Sequence, residues 1–213
     1  SVGKSNYGNL GDNFVQEGLA NRITPFNTKK SGKNIDTEKM YDNLMNRYRF
    51  GGLENPNIYL DETVTRMCQS HRRMFAQLAK CLWDEGKTEK AGKVVAYVEE
   101  AIPGTTLPHS YASGSLDLAR VWLSLGNASK VEELAVPVAQ TASEYLEWYL
   151  SYSNQMLLQS NEDCLYYLYQ LHAAAELLSE AGSSKGDEMA TRLGQYDSAI
   201  RNRLYGANGQ AQR

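Results

Sequence analysis

Between Asp61 and Gly86 the apolar side chains recur with the period of a helix, and the residues at either end say where that helix must start and stop. Val64, Met67, Met74, Phe75, Leu78, Ala79 and Leu82, with His71 among them, mark one face at i, i+3, i+4 and i+7. Asp61 supplies an N-cap oxygen and Gly86 suits the left-handed residue just past a helix end. Thr88 then restarts a run carrying Ala91, Val94, Val95, Val98 and Ile102, which Pro103 cannot continue. Helix, glycine turn, helix is a tight hairpin. Two-residue alternation is nowhere sustained, so the expected class is all-α.

The plan repeats. After residues 104–110 a second hairpin is predicted, with Leu116, Leu118, Ala119, Trp122 and Leu125, then Gly126, then Val131, Leu134, Ala135 and Val138. Ala79 and Ala119 each stand seven positions before a turn glycine, where paired helices approach closely; Ala91 follows Gly86 by five, and Pro103 closes the unit. This pattern resembles the tetratricopeptide repeat. It departs from it in spacing: Gly126 lies 40 residues after Gly86 and Gly182 a further 56, against about 34 for the repeat. Val131 also replaces the second small residue, and no proline closes the second hairpin.

The expected architecture is a set of stacked antiparallel hairpins, a tetratricopeptide-like α-solenoid, over residues 61–205. Pro137 should kink the second helix of its hairpin. Tyr145, Trp148, Tyr149 and Tyr152 continue a long helix; Leu165, Leu168, Leu171, Ala175 and Leu178 define another that ends at Gly182; a last helix covers residues 187–205. Residues 1–60 read as an irregular N-terminal segment with short helices. One is expected over residues 13–21, and another begins at Asp36 or Thr37, carries Met40, Leu44 and Tyr48, and stops at Gly51 and Gly52. Residues 27–34 read as a polar loop, 53–60 as a connector and 206–213 as a frayed tail.

Composition excludes several function classes. The chain has 213 residues, 42% of them apolar, and a net charge of -3, with 25 acidic against 22 basic side chains, so nothing calls for a nucleic-acid partner. No stretch reaches the roughly 20 apolar residues that span a bilayer, and no signal peptide opens the chain, so this piece does not itself insert into a membrane. It starts at Ser1 and runs straight into a Gly/Asn-rich stretch, as expected of a part of something longer. Cys68, Cys81 and Cys164 form no metal-ligand or CxxC spacing. Cys68 and Cys81, on one helix, lie roughly 20 Å apart, beyond disulfide reach.

No catalytic or metal site emerges, and no cofactor is implied. Gly3, Lys4 and Ser5 spell the end of a phosphate-binding loop without its upstream glycine and strand. His71, His109 and His172 share no ligand spacing. Glu99 with Glu100 and Glu132 with Glu133 point about 100° apart on a helix and do not converge on one substrate. Asn127, Ala128 and Ser129 match a glycosylation sequon in a hairpin turn. Two binding candidates stand out. In tetratricopeptide arrays the first helix of each hairpin lines a concave groove, where Arg73, Lys80, Trp83 and Arg120 would lie; a solvated charged face is the plainer account. The stripe Tyr145, Trp148, Tyr149, Tyr152 has faces suited to stacking a sugar or a peptide, and core packing explains it as well.

The segments EGLANRITPF, MYDNLMNRYRFGGLENPNIYLDE, HRRMFAQLA and AIPGTTLPHSY are similar to the C-terminal soluble part of a family of large bacterial membrane proteins related to protein O-mannosyltransferases. The resemblance covers essentially the whole chain, is most specific over residues 38–75 and weakens after about residue 130. It implies a domain on the extracytoplasmic, periplasmic side of the inner membrane, attached to a multi-spanning glycosyltransferase-like half. In related transferases the catalytic acid belongs to that membrane half, so no catalytic residue falls on this chain.

The function expected is therefore a non-catalytic helical-repeat interaction module that binds protein or acceptor chains beside its transmembrane half. A free-standing tetratricopeptide-type adaptor for peptide tails is the first alternative. A glycan-binding or glycan-processing domain is the second, although glycoside hydrolysis needs two facing carboxylates that the sequence does not place.

Overall fold

A computed structural model describes residues 10–28 and 34–206. The Gly3-Lys4-Ser5 triplet, the lysine-rich centre of the polar loop and the tail after Gly206 lie outside the described residues. Among them, two short strands, β1 (Phe14–Gln16) and β2 (Asn21–Ile23), precede eight α-helices: α1 (Thr37–Asp42), α2 (Glu62–Asp84), α3 (Thr88–Ala101), α4 (Ser115–Ser124), α5 (Ala128–Leu150), α6 (Asn154–Gln159), α7 (Asn161–Glu180) and α8 (Ser184–Tyr205). The class is all-α. The chain divides into two compact units, Ser1–Leu107 and Pro108–Arg213.

In the first unit, the helix expected over residues 13–21 is instead an antiparallel β-hairpin, with Phe14 opposite Ile23 and Gln16 opposite Asn21. Gly18 decides against a helix, because it adopts φ 135°, open to glycine alone, and a Cβ there would meet the Tyr48 hydroxyl at 2.7 Å. The Gln16 amide donates to the Asn34 carbonyl at 2.8 Å and the Asp36 amide to Gln16 at 3.0 Å, which ties the hairpin to the entry of α1. Asp36 caps α1, accepting from the Lys39 amide at 3.0 Å. The helix expected through Tyr48 loosens after Asp42 into a π-helical turn, Asn43–Arg47, closed by the Tyr48 amide on the Asn43 carbonyl at 2.9 Å.

The hairpin α2–α3 forms as the sequence reads. Asp61 accepts from the Val64 amide at 2.8 Å, and Phe75, Ala76, Leu78, Ala79 and Leu82 are fully buried with Ala91, Val94 and Val95 of α3. Val64 and Met67, on the same stripe, are exposed, so the first turn of α2 lies outside the core. Two carboxylates fix α1 to the hairpin turn. The Thr37 hydroxyl donates to Glu85 at 2.8 Å, and Lys87 and Lys90 reach Glu38 at 2.7 and 2.6 Å, holding its carboxyl down at about 2.

Arg72 lies on the buried stripe of α2, only 1% exposed. Its guanidinium donates to the carbonyls of Ile102, Pro103 and Leu107 at 2.8, 3.2 and 2.6 Å. Ile102 is the C-cap of α3, where carbonyls lack helical partners and the helix dipole is negative, so a cation is the group this end needs. Burial pulls the guanidinium down to about 10, which leaves it cationic at neutral pH.

The second unit contains two more glycine-turn hairpins, α4–α5 and α7–α8. All three hairpins turn identically: Gly86, Gly126 and Gly182 have φ of 76°, 78° and 73°. At each turn the next residue's amide donates five back, Lys87 to Leu82, Asn127 to Trp122 and Ser183 to Leu178, at 2.8–3.0 Å. Ala175 stands seven before Gly182 as Ala79 and Ala119 do before theirs, and all three are buried. In the third hairpin the close approach also falls at Gly186, where a Cβ would meet the Ser179 amide nitrogen at 2.5 Å. Pro137 sits inside α5, which runs unbroken across it. Arg203 of α8 donates to the Leu150 and Tyr152 carbonyls, closing the end of α5 as Arg72 closes α3. Asn127, the sequon residue, is engaged as the N-cap of α5, accepting from the Lys130 amide at 3.2 Å.

Replacing Arg72 with Leu strands buried carbonyls at the α3 terminus and is expected to cost about 3 kcal/mol in urea unfolding, with Arg72→Lys recovering only part. Wild-type stability in Arg72→Leu would show that these bonds do not hold the unit together.

Candidate functional site

The second unit carries an aromatic surface built from three separate stretches of chain. A 3-10 turn, Tyr111–Ser113, precedes α4 and presents Tyr111; the C-terminal half of α5 presents Tyr145, Trp148 and Tyr149, with Tyr152 just beyond its end; the first turns of α7 present Tyr166, Tyr167 and Tyr169. Each ring touches the next. Tyr145 stacks on Tyr167 with centroids 4.4 Å apart and planes 9° from parallel. Trp148 meets Tyr145 at 6.2 Å and Tyr152 at 5.2 Å, Tyr167 meets Tyr166 at 5.3 Å, and Tyr111 bridges Tyr166 and Tyr169 edge-on at 5.7 and 6.1 Å. Offset and edge-to-face pairs at these separations contribute about 1 kcal/mol each beyond burial.

The cluster has a floor and an open face. Tyr149 is buried; burial first, and the nearby Asp163 carboxylate second, push its pKa up. Tyr167 is half-buried, and desolvation together with the neighbouring Tyr145, Tyr149 and Tyr166 raises it to about 12. Above them Trp148 is 51% exposed, Tyr166 47% and Tyr169 60%. Leu165, expected on the buried stripe of α7, points outward as well, at 57%.

α7 explains this arrangement. Its inward side, Cys164, Leu168, Leu171, Ala174, Ala175, Leu177 and Leu178, is buried where α4, α5 and α8 pack on it. Over the first turns its outward side also carries the large side chains Leu165, Tyr166 and Tyr169, beside Glu162. A helix apolar all round is ordinarily covered all round. Here one side is open, and large exposed apolar patches with polar rims mark interaction sites.

The four groove residues of the sequence reading fall in both units. Arg73 and Lys80 are exposed and Trp83 half-buried on α2, while Arg120 is exposed on α4. Lys80 holds Asp84 at 2.6 Å and Arg120 lies 3.9 Å from Glu176. The stripe Tyr145, Trp148, Tyr149 and Tyr152 does come together. Tyr111, Tyr166 and Tyr169 join it from parts of the sequence that no spacing rule connects; the abundance of tyrosine between 145 and 169 is the only trace of this in the sequence.

Glu132 is engaged by Ser183 and Lys185, and Glu133 by Lys130. Cys68, Cys81 and Cys164 are free thiols whose pKa values burial raises, which suppresses the reactive thiolate. His71 is half-buried against Tyr48 and Phe50, and desolvation lowers its pKa. Among the described residues no three His, Cys, Asp or Glu side chains converge to hold a metal ion, and no helix is long and apolar enough to cross a membrane.

No family model, curated protein or solved structure matches this chain. What it does must be read from its own geometry.

With tyrosine carbons labelled for NMR, Tyr167 is expected to titrate near 12. Because its neutral form is favoured in the fold, its contribution to stability is complete below its ordinary 10 and is lost as pH rises toward 12. Titration near 10 would mean that the stack with Tyr145 is open to water.

Proposed function

We propose that this chain is a non-catalytic helical interaction module that binds a protein or peptide partner through the aromatic face of its second unit. The observation that carries this is the linked set of exposed rings, Trp148, Tyr166 and Tyr169 above all. Tyrosine and tryptophan are the side chains that dominate binding energy at protein interfaces, because they supply large rigid area at small entropic cost. The flanking turns and capped helices give them a firm base.

The sequence resemblance supplies a setting for the module. On that reading the chain is the extracytoplasmic part of a membrane glycosyltransferase-like protein, its hairpins stack in tetratricopeptide fashion, and chemistry belongs to the membrane half while this part receives protein or acceptor chains. Of the two surfaces the sequence offered, the aromatic one is favoured, since Lys80 holds a carboxylate of its own helix and Arg120 lies beside one of its own unit.

Panning a random peptide library tests this. Wild-type protein is expected to enrich defined sequences, Trp148→Ala with Tyr166→Ala to enrich none, and the combined Arg73, Lys80, Trp83 and Arg120 alanine variant to behave as wild type. Enrichment lost in the second variant and kept in the first would place the partner on the charged residues instead. No enrichment by wild type, or turnover of a glycan by the isolated chain, would overturn the proposal.

A further inference from the structure

The two units differ in charge. Residues 108–213 hold 12 acidic and 7 basic side chains, a net of -5, whereas residues 1–107 hold 13 acidic and 15 basic, a net of +2. Within the second unit the described basic groups are mostly spent internally: Lys130 on Glu133, Lys185 on Glu132, Arg192 on Glu188, Arg201 on Asp197, and Arg203 on the end of α5. Arg120, beside Glu176, is the remaining one.

The acidic groups are arranged differently. Glu144 precedes Tyr145 and stands four residues before Trp148; Glu162 stands three and four before Leu165 and Tyr166, on the same helical face. Asp163 lies close enough to Tyr149, and Asp117 to Tyr111, to help raise the pKa of each phenol. None of these four carboxylates has an ion-pair partner among the described residues. The exposed rings are therefore rimmed by uncompensated negative charge.

Resting on the proposed aromatic interface, we infer that its partner is a peptide segment rich in Lys or Arg. An ammonium or guanidinium over a Trp or Tyr face is attracted by the ring quadrupole, and the carboxylate rim adds to that attraction. The first unit already shows the geometry, with the Lys90 ammonium 5.2 Å from the centre of the Tyr41 ring. The long apolar stems of Lys and Arg lie along Leu165 while their heads reach the rim. The same charge disfavours the other occupants. Two copies meeting through this face would bring like charges together, and an anionic bilayer or a nucleic acid would be repelled.

The test is fluorescence anisotropy with three labelled octapeptides of one leucine-interspersed sequence, carrying lysine, acetyl-lysine or glutamate at the alternate positions. The lysine peptide is expected to bind at least about tenfold more tightly than the acetylated one, and the glutamate peptide not at all. Trp148→Ala with Tyr166→Ala, which leaves every charge in place, should abolish binding, and Glu144→Gln with Glu162→Gln should weaken it about tenfold; thermal melts confirm that both variants fold. Equal binding of the lysine and acetylated peptides, abolished by the ring variant, would overturn the cationic partner and leave the aromatic interface standing. Lysine-peptide binding unchanged in the ring variant would reduce the effect to diffuse attraction and overturn the inference. Failure of every peptide, with self-association or capture of a neutral oligomannoside through the rings, would overturn both.

Discussion

A helix with apolar side chains on two sides requires cover on two sides, and α7 is such a helix. Its inward residues, from Cys164 to Leu178, are enclosed by α4, α5 and α8 and form the centre of the second unit. Its outward residues Leu165, Tyr166 and Tyr169 are closed over only in part, by Tyr111 on one side and Tyr167 on the other. Burying those three more deeply would require another element of chain. Their exposure follows from the packing of the unit, and it leaves the rings where another molecule can reach them.

The scaffold under this surface is held by a small number of polar devices at helix ends. Three glycines in the left-handed region turn the chain and let paired amides satisfy the last carbonyls of α2, α4 and α7. Two helices without that turn use an arginine: Arg72 closes α3, and Arg203 closes α5 beneath Tyr152. The second case bears on the site. By fixing the Leu150 and Tyr152 carbonyls, Arg203 fixes the end of the helix that carries Tyr145, Trp148 and Tyr149. Binding to a pre-ordered surface avoids the entropy of ordering it.

Long periodic stretches were the legible part of the sequence. Asp61, Gly86, Pro103 and Gly126 mark hairpin boundaries that the structure reproduces, because capping chemistry is local and depends little on the rest of the fold. The short N-terminal strands were not legible: three residues cannot display a two-residue period, and Gly18 is selected by the approach of Tyr48, 30 positions away. Arg72 was within reach, since it falls on the stripe with Cys68, Phe75 and Ala79, but a charge on a buried face is readable only once Ile102 and Leu107 are known to face it. The aromatic site was half legible. Tyr145, Trp148, Tyr149 and Tyr152 share a helical spacing, whereas Tyr111, Tyr166 and Tyr169 join them through tertiary packing. Period alone also could not say that Leu165 faces outward while Leu168 faces in.

On the proposed reading, the partner of this chain docks on the rings of the second unit and the carboxylate rim selects a basic segment. Site-directed photocrosslinking decides the location most directly, with p-benzoylphenylalanine placed in turn at positions 166 and 80 and a lysine-bearing peptide as probe. Covalent capture from position 166 with none from position 80 is the predicted result. Capture from position 80, with none from position 166, would contradict it and put the partner on the charged face of α2.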